Sequence, residues 1–359
     1  MARGFHALTV AEVRRETPDA VCVTFDVPEE LRPVFVFRPG QHLTLRARCE
    51  GVELRRSYSI CAAPGEPLRV GVKKIDGGRV SAWVNDALAA GDRVELMAPE
   101  GRFGLDIDPQ AAREVLLIGA GSGITPLLSI ARAVLEGEPK SEVTLVYGNR
   151  DTASIMFREE LEDLKDRHLG RFRLFHVLSR EAQDVALFHG RIDPERLRRM
   201  AAAGLIDPKA DAVFLCGPGE MIDAAAEVLR GLGTPAERIH HERFAPAADA
   251  PPPRPVSEAA RRAAAEGVRV AAILDGARRA FEVTAPGQTV LEAAQAAGID
   301  LPYSCAGGMC CTCRCKVTEG AAEMAVNWSL EPWEVEAGYV LACQARPSTP
   351  TLTLDFDAV

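Results

Sequence analysis

Several features are missing from this chain of 359 residues. No apolar run approaches the roughly 18 residues that a membrane-spanning helix needs, so a bilayer is not expected as a partner. The first ten residues lack the apolar core of a secretory signal, and a cytoplasmic location is the expectation. Basic residues are not in excess: 42 Lys and Arg stand against 51 Asp and Glu, a formal net charge of −9. Nucleic acid is therefore not expected as a partner, because phosphate binding needs a basic face. No internal repeat is visible, so no repeat architecture is expected.

What is present reads as an ordinary globular chain, with 47% hydrophobic and 26% charged residues. At roughly 100–200 residues per domain it holds two or three domains. Ten cysteines are more than packing alone calls for, and disulfides are not expected in a reducing compartment. Five of the ten fall within the eleven residues 305–315, a clustering that points to metal chemistry.

The pattern changes three times along the chain. Residues 1–108 alternate short apolar stretches (20–27, 41–46, 68–72, 93–97) with Pro and Gly breaks, and one helix is expected over 81–89; such a run predicts an antiparallel β-barrel. Residues 109–245 alternate buried strands (114–118, 142–147, 171–177, 212–215) with helices (124–135, 155–167, 194–203, 220–231). That order predicts a doubly wound α/β domain with a parallel sheet. Residues 246–266 contain PPPRP and an Ala-rich tract, and are expected to act as a semi-rigid linker. At about 3.1 Å per residue, the extended form would span on the order of 50–60 Å. Residues 267–359 form a third domain. Strands over 268–274 and 279–284 flank Asp275-Gly276, a hairpin signal. Thr289 is a good N-cap and Gly298 a good C′ residue for a helix over 290–297. Further strands are expected at 340–344 and 351–356.

The segment 303–316 reads YSCAGGMCCTCRCK. Cys305, Cys310 and Cys313 follow C-x₄-C-x₂-C, and Cys343 lies further on, the spacing of a plant-type [2Fe–2S] site. Thiolates suit iron because they are soft and electron-donating. The alternative reading is a Cys₄ zinc site, although zinc ligands usually come as two CxxC-like pairs. Cys311 and Cys315 alternate with the expected ligands and are read as packing residues, as are Cys22, Cys49 and Cys61. This third domain resembles plant-type ferredoxins, a resemblance that implies an α+β, β-grasp fold and one-electron transfer.

Arg56-Ser57-Tyr58-Ser59 is an RxYS motif. Arginine can grip a pyrophosphate bidentately, the tyrosine ring can stack on an isoalloxazine, and the serine can bond to a ring nitrogen. By itself the motif is also compatible with an ordinary strand. Gly71-Val72-Lys73 closes a strand, and Gly78-Arg79-Val80-Ser81 opens a helix, whose N-terminus attracts anions. Gly119-Ala120-Gly121-Ser122-Gly123-Ile124-Thr125-Pro126 is a Gly-rich strand-to-helix turn, and Cys216-Gly217-Pro218 is a second; open α/β sheets bind ligands at such turns. Residues 1–245 resemble the ferredoxin–NADP reductase superfamily. Position by position, the resemblance makes Arg56, Tyr58, Ser59, Gly71, Val72, Lys73, Gly78, Arg79, Val80 and Ser81 FAD contacts. It gives Gly119, Gly121, Ser122, Gly123, Thr125 and Pro126 the nucleotide pyrophosphate, and sets Cys216, Gly217 and Pro218 beside the nicotinamide. Ser179 and Arg180, helped by Arg150, would take a 2′-phosphate, and Phe244 would lie over the flavin. Where strict NADP members carry a Lys and a Tyr after that Ser-Arg pair, this chain has Ala186 and Phe188. NADPH is the expected coenzyme, with NADH as the alternative. Hydride transfer needs no general acid–base pair, and none is assigned.

The order flavin barrel, nucleotide domain, linker, ferredoxin, with RRSYSI, LVYGNRD, FLCGPGEM, HHERF and LPYSC–LACQ, resembles the reductase subunits of phenylacetyl-CoA epoxidases. The resemblance implies electron delivery to the di-iron oxygenase subunits of a multicomponent complex in phenylacetate catabolism. Reductases of Rieske ring-hydroxylating and steroid hydroxylase systems share the order and remain an alternative. A ferredoxin-type redox sensor with an inactive reductase half is an alternative of another class.

Overall fold

Apolar and polar residues alternate along the first strand, β1 (Phe5–Thr17), which buries Leu8 and Val10 and turns charged residues outward. A computed structural model describes residues 4–244 and 252–358. After β1 come β2 (Ala20–Asp26), β3 (His42–Cys49), β4 (Val52–Ser59), β5 (Arg69–Lys73), α1 (Arg79–Asp86) and β6 (Arg93–Met97). All pairings are antiparallel in the order β4-β3-β6-β1-β2-β5. The outer strands meet through the bridge between Ile60 and Val70, and the Cys61 N–H donates to the Arg69 carbonyl at 3.0 Å, so the sheet closes on itself as a barrel. Helix α1 sends Val80 and Val84 into the barrel core.

The next strands form a second sheet. They are β7 (Glu114–Ala120), β8 (Glu142–Asn149), β9 (Phe172–Leu178), β10 (Ala212–Gly217) and β11 (Ile239–Arg243). The central members β7, β8 and β10 are largely buried, as strands covered on both faces must be, while β9 and β11 at the edges carry polar residues. Between the strands run α2 (Ile124–Gly137), α3 (Arg158–Arg167), α4 (Pro194–Ala202) and α5 (Gly219–Gly231). The sheet is wholly parallel in the order β11-β10-β7-β8-β9. Its winding reverses between β7 and β10, where both Gly-rich turns emerge. Two helices differ from expectation. Helix α3 begins at Arg158 rather than 155, because Phe157 adopts a left-handed φ of 56°, with its ring buried and its N–H on the Glu16 carboxylate at 3.1 Å. Helix α1 starts directly after Gly78 and stops before 87–89, where the Asp92 carboxylate takes the Ala89 N–H at 2.9 Å.

Barrel and parallel sheet make one compact unit, Phe5–Ala248. On α2, the Ser129 hydroxyl donates to the Ala62 carbonyl at 2.6 Å and accepts the Gly40 N–H at 3.3 Å. On α3, Glu160 accepts both Arg69 nitrogens at 2.7 Å and Arg132 at 3.3 Å, and pairs with Arg14.

The second unit, Asp249–Val359, is separate. Its described elements are α6 (Glu258–Glu266), β12 (Val268–Leu274), β13 (Ala277–Val283), α7 (Val290–Ala296), β14 (Arg314–Glu319), β15 (Ala322–Met324), α8 (Pro332–Glu336), β16 (Tyr339–Leu341), β17 (Ala345–Pro347) and β18 (Thr351–Asp355). The main sheet runs β13-β12-β18-β14-β16, with β12 and β18 parallel. The expected hairpin turn is present: Asp275 and Gly276 have φ of 53° and 71°, and the Asp357 carboxylate takes both their N–H groups. Thr289 and Glu292 form the capping box of α7, and Gly298 follows it at φ 71°. The strand expected over 340–344 is broken at 342–344 by a turn in which the Gln344 N–H meets the Leu341 carbonyl at 2.8 Å.

The expected linker is shorter than its composition suggests. Residues 246–251 lie outside the described residues. The Arg254 N–H donates to the Ala325 carbonyl at 2.8 Å, and the Ser257 N–H to the Glu323 carboxylate at 3.0 Å. Helix α6 buries Ala260, Ala263 and Ala264, whose small side chains let it lie close against the unit. Residues 252–266 are thus part of the second unit and not free to extend. Among the described residues, no helix is long and apolar enough to cross a membrane.

Arg14 also pairs with Glu16 and Arg132 with Glu66, whereas the largely buried Arg69 is held by both Glu160 oxygens, so replacing Glu160 removes the carboxylate that compensates Arg69 between barrel and sheet. Glu160→Ala is expected to lower the unfolding free energy by about 3 kcal/mol in urea titrations; a loss below about 0.5 kcal/mol would show the cluster to be no more than a surface ion pair.

Candidate functional site

Each glycine of the turn after β7 serves a different need. A Cβ on Gly123 would lie 2.1 Å from the Cys216 carbonyl oxygen, and one on Gly119 2.6 Å from Leu127 Cδ1. Both are packing glycines. Gly121, at φ +55°, has nothing within 4 Å of where its Cβ would stand, so this point of the loop faces open space. The Tyr147 hydroxyl fixes it, donating to the Gly121 carbonyl at 2.9 Å. Ser122 is half-buried and accepts the Thr125 hydroxyl on its carbonyl at 3.0 Å; Pro126 is buried in the first turn of α2. No side chain caps that helix, and a short 3-10 turn over Gly121–Gly123 leads straight into it, with the Ile124 N–H taken by the Gly121 and Ser122 carbonyls. Pro218 precedes α5, and a Cβ on Gly217 would meet Met221 Cε at 2.8 Å.

At the ends of β8 and β9, the Arg180 N–H donates to the Arg150 carbonyl at 2.7 Å, and Ser179 Oγ to the Asn149 carbonyl at 3.3 Å. Arg180 is exposed. Arg150 instead pairs with Asp19 at 2.9 Å, and Asp19 also faces Lys73 at 3.5 Å. Burial works to raise the Asp19 carboxyl, but the Thr17 hydroxyl, Lys73 and Arg150 outweigh it and hold it below its ordinary range. Phe188 stacks on Phe175, centroids 5.8 Å apart.

On β4, Arg56 and Tyr58 share one face and Ser59 takes the other. Arg56 is exposed, Tyr58 packs on the barrel core, and Ser59 is buried. Nearby on β5, a Cβ on Gly71 would lie 2.6 Å from Thr125 Cγ2, so this glycine lets the barrel meet α2. Val72 and Val80 are buried in the core. Ser81 Oγ accepts the Ile75 N–H at 3.3 Å and donates to the Gly78 carbonyl at 3.1 Å; a Cβ on Gly78 would stand 2.5 Å from Ser81 Oγ. Arg79 donates to the Cys49 carbonyl at 3.4 Å. No side chain caps α1 either. Phe244, just past β11, is 41% exposed.

Two residues that sequence reasoning missed join this site. Ser59 Oγ donates to Glu242 Oε2 at 3.3 Å, and His42 Nδ1 lies 3.8 Å from Glu242 Oε1. His42 is in register with Ser59, and Glu242 with Cys216, so strands β3, β4, β10 and β11 each supply one member. Burial pushes Glu242 up to about 7, with Ser59 opposing it, and pushes His42 down to about 4. Burial, reinforced by Glu242, also raises the Cys216 thiol. With the imidazole neutral near pH 7, this contact is not an ion pair. Neither GQH nor HHERF carries a local sign of this pairing, which the two sheets bring about between residues 200 positions apart.

In the second unit the cysteine loop turns through Ala306 (φ 51°), Gly308 (φ 78°) and Cys311 (φ 55°). The Gly307 and Met309 N–H groups donate to Cys305 Sγ at 3.3 and 3.4 Å, and the Cys305 N–H to Cys310 Sγ at 3.5 Å. Gln344 donates to Cys343 Sγ at 3.6 Å and to the Ala306 carbonyl at 3.0 Å. The thiols associate as Cys305 with Cys310 and Cys313 with Cys343. The Cys310 thiol and three N–H groups hold Cys305 down to about 5, and the Cys313 thiol lowers Cys343. Among the described residues no three His, Cys, Asp or Glu side chains gather as ligands of a single metal ion. Two thiol pairs with N–H donors at sulfur suit a two-iron cluster better than one zinc. Cys315 is fully buried, its Sγ toward the Val340 carbonyl at 3.7 Å, and Cys311 is half-buried against the core.

The raised Glu242 carboxyl makes a pH-dependent contribution. Below about pH 4.5 it is protonated folded and unfolded; between there and about 7 only the unfolded chain releases the proton, so stability falls as pH rises, and above 7 the loss is complete. Glu242→Gln is therefore expected to raise the melting temperature of the holoprotein more at pH 8 than at pH 5, a difference on the order of 3 kcal/mol. Equal shifts at both pH values would mean that the buried carboxyl ionises normally.

Comparison with known proteins agrees with this layout. Residues 7–104 match the oxidoreductase FAD-binding domain family, residues 117–227 the oxidoreductase NAD-binding domain family, and residues 272–348 the 2Fe-2S iron-sulfur cluster binding domain family. The chain is 46% identical to a subunit of the 1,2-phenylacetyl-CoA epoxidase of Escherichia coli (strain K12), over 99% of this chain and 98% of that protein. It is 37% identical to the ferredoxin reductase component of 3-ketosteroid-9-alpha-monooxygenase from Rhodococcus rhodochrous, over 97% and 96%. The crystal structure of phthalate dioxygenase reductase superposes with a TM-score of 0.59 at 24% identity, covering 98% of both chains, and shares the fold. The chain belongs to the family of FAD- and NAD-binding oxidoreductases with a C-terminal 2Fe–2S domain that serve as reductase components of oxygenases.

Proposed function

We propose that this protein oxidises NADPH and delivers the electrons one at a time to the di-iron oxygenase subunits of a phenylacetyl-CoA epoxidase, in phenylacetate catabolism in the cytoplasm. The observation that carries the reading is one chain holding an RxYS strand, two Gly-rich turns at a switch point and two thiol pairs. The oxygenase is chosen from the 46% identity with the Escherichia coli epoxidase component. A reductase of another oxygenase is the second reading, favoured by the 37% identity with the steroid enzyme's component.

The proposed domains are 1–108 for FAD, 109–245 for NAD(P) and 267–359 for the cluster. FAD accepts a hydride's two electrons together, and the 2Fe–2S cluster takes them singly. Arg56 and the uncapped first turn of α1 hold the FAD pyrophosphate, with backbone from Gly71, Val72, Lys73 and Gly78 to Ser81. Tyr58 lies against the isoalloxazine, and Ser59, backed by Glu242, offers its hydroxyl to the ring edge. The open backbone at Gly121 and the first turn of α2 receive the nicotinamide nucleotide's pyrophosphate. Cys216, Gly217 and Pro218 border the nicotinamide, and Phe244 closes the flavin side. Arg180 takes the 2′-phosphate with Ser179. Arg150, held by Asp19, supports that strand end, and Ala186 offers no second amine. Cys305, Cys310, Cys313 and Cys343 hold the cluster.

The reading is tested by reconstitution: the purified protein with the oxygenase subunits of a phenylacetyl-CoA epoxidase should make phenylacetyl-CoA loss depend on NADPH and oxygen. No loss, with NADPH still oxidised by ferricyanide, would point to a different oxygenase. Two sets of substitutions examine the parts. Cys310→Ala or Cys343→Ala should remove about two irons and two labile sulfides per chain, leaving flavin reduction intact, while Cys311→Ser and Cys315→Ser keep the iron; iron loss in Cys311→Ser would mean a different ligand set. Arg180→Ala should raise KM for NADPH about ten-fold or more and barely change that for NADH, as expected for loss of a charge-assisted contact. Equal losses would make Arg180 structural and NADH the coenzyme.

A further inference from the structure

Asp19 lies in the turn between β1 and β2 and is fixed from several sides. Its backbone carbonyl accepts the Lys74 N–H at 2.7 Å, and its Oδ1 accepts the Thr17 hydroxyl at 2.8 Å. Its Oδ2 faces two cations from different sheets: Lys73 Nζ on β5 at 3.5 Å, and Arg150 Nη2, just past the end of β8, at 2.9 Å. Burial works against the charge of Asp19, but the Thr17 hydroxyl, Lys73 and Arg150 outweigh it, so the carboxylate is ionised at neutral pH. A barrel turn thus reaches across to the parallel sheet and holds one of its strand-end arginines. Arg180 lies directly alongside, its N–H on the Arg150 carbonyl at 2.7 Å. The Arg180 side chain is exposed and has no ion-pair partner among the described residues. Two further acids of this corner are taken up by the backbone: Asp151 accepts the Ser154 N–H at 3.0 Å, and Glu181 the Thr152 N–H at 2.7 Å.

NADPH and NADH differ only in the 2′-phosphate, so selectivity between them depends on the cations free to meet that group. A guanidinium already engaged by a carboxylate is a weaker phosphate ligand. To take the phosphate, Arg150 must give up Asp19, which stays behind as a like charge. Arg180 is then the one arginine of the pair that is free for the phosphate. We propose that Asp19 is a specificity-determining residue: by holding Arg150 it limits what the 2′-phosphate contributes to binding, and so admits NADH beside NADPH. The proposal rests on the reading of Arg150, Ser179 and Arg180 as the 2′-phosphate site. Asp19 acts through Arg150. Arg150 is 49% exposed and Asp19 31%, and a pair so open to water is weak and screened by salt. The restraint is therefore moderate, and one substitution lifts it.

The test uses the full-length holoprotein with ferricyanide as acceptor, and compares wild type, Asp19→Asn, Arg150→Ala and the double variant. KM is read for NADPH and for NADH, and 2′,5′-ADP serves as a competitive inhibitor. At low salt Asp19→Asn should lower KM for NADPH and the inhibition constant of 2′,5′-ADP about five-fold, the scale of one exposed ion pair. KM for NADH should change less than two-fold, and high salt should remove most of the gain. The double variant should differ from Arg150→Ala by less than two-fold. An unchanged or raised KM for NADPH in Asp19→Asn would overturn the proposal. So would an equal change with NADH, or a gain that survives without Arg150. Arg180→Ala checks the underlying reading: equal losses with both coenzymes remove the 2′-phosphate site and the proposal with it, whereas a loss confined to NADPH keeps the site and leaves Asp19→Asn to judge the proposal. Should Asp19→Asn fail to retain FAD, Asp19→Ser decides: the same fall in KM for NADPH is expected, and its absence overturns the proposal.

Discussion

A methyl group on Gly123 would sit 2.1 Å from the Cys216 carbonyl oxygen, well inside van der Waals contact. That close approach lets the turns after β7 and β10 lie against each other at the switch point. Much follows from it by register alone. Cys216 is paired with Glu242 on the next strand, Glu242 accepts from Ser59 of the barrel, and Ser59 faces His42. Because strand pairing has a period of two residues, a slip of one would carry every one of these side chains to the opposite face. The same packing leaves Gly121 as the point where the loop's backbone faces open space. Two packing glycines therefore do for the site what its polar side chains cannot: they bring a barrel strand, two sheet strands and a bare loop to one place.

Two buried carboxylates in this unit show opposite resolutions of one problem. Burying a lone carboxylate is costly, and it is relieved either by a cationic partner or by taking up a proton. Glu160 has Arg69, Arg132 and Arg14, and although burial works to raise its carboxyl, those arginines outweigh it and keep it low. Glu242 has only a serine hydroxyl and a neutral imidazole, and burial prevails, pushing it up to about 7. The first arrangement holds barrel and sheet together. The second places a proton-exchanging group beside Ser59 and Cys216, the residues proposed to border the two rings.

Most of the architecture was legible in the sequence because its signals are local. Asp275-Gly276 needs two consecutive left-handed residues, and Thr289 with Glu292 satisfies two helix N–H groups at once, whatever the rest of the fold does. The residues that escaped reading depend on distant partners. His42 looks like one more strand residue in GQHLTL, and Glu242 like one more charge in HHER, until the sheets bring them within 3.8 Å of each other. The Ala- and Pro-rich segment was misleading for a related reason. Composition describes how a chain behaves when solvated, whereas Ala260, Ala263 and Ala264 are small enough to be packed against the second unit. Arg150 was legible as a strand-end cation but not as the partner of Asp19, which comes from another sheet.

The cysteine loop carries a cost that explains how its parts depend on one another. Ala306 and Cys311 hold left-handed φ values without being glycine, at roughly 1–3 kcal/mol each. Four thiols brought together must also share their protons as hydrogen-bonded pairs, and each pair lowers one thiol while raising the other. With the proposed ligand set, these thiols would give up those protons to hold the cluster, and the free energy of binding would also be folding free energy for the loop. The Arg314–Glu334 pair connects that loop to α8, and the Gly308 carbonyl connects it to Trp328 and Ser329 just ahead of the helix. Ordering of the loop and placement of α8 are in this way one structural event.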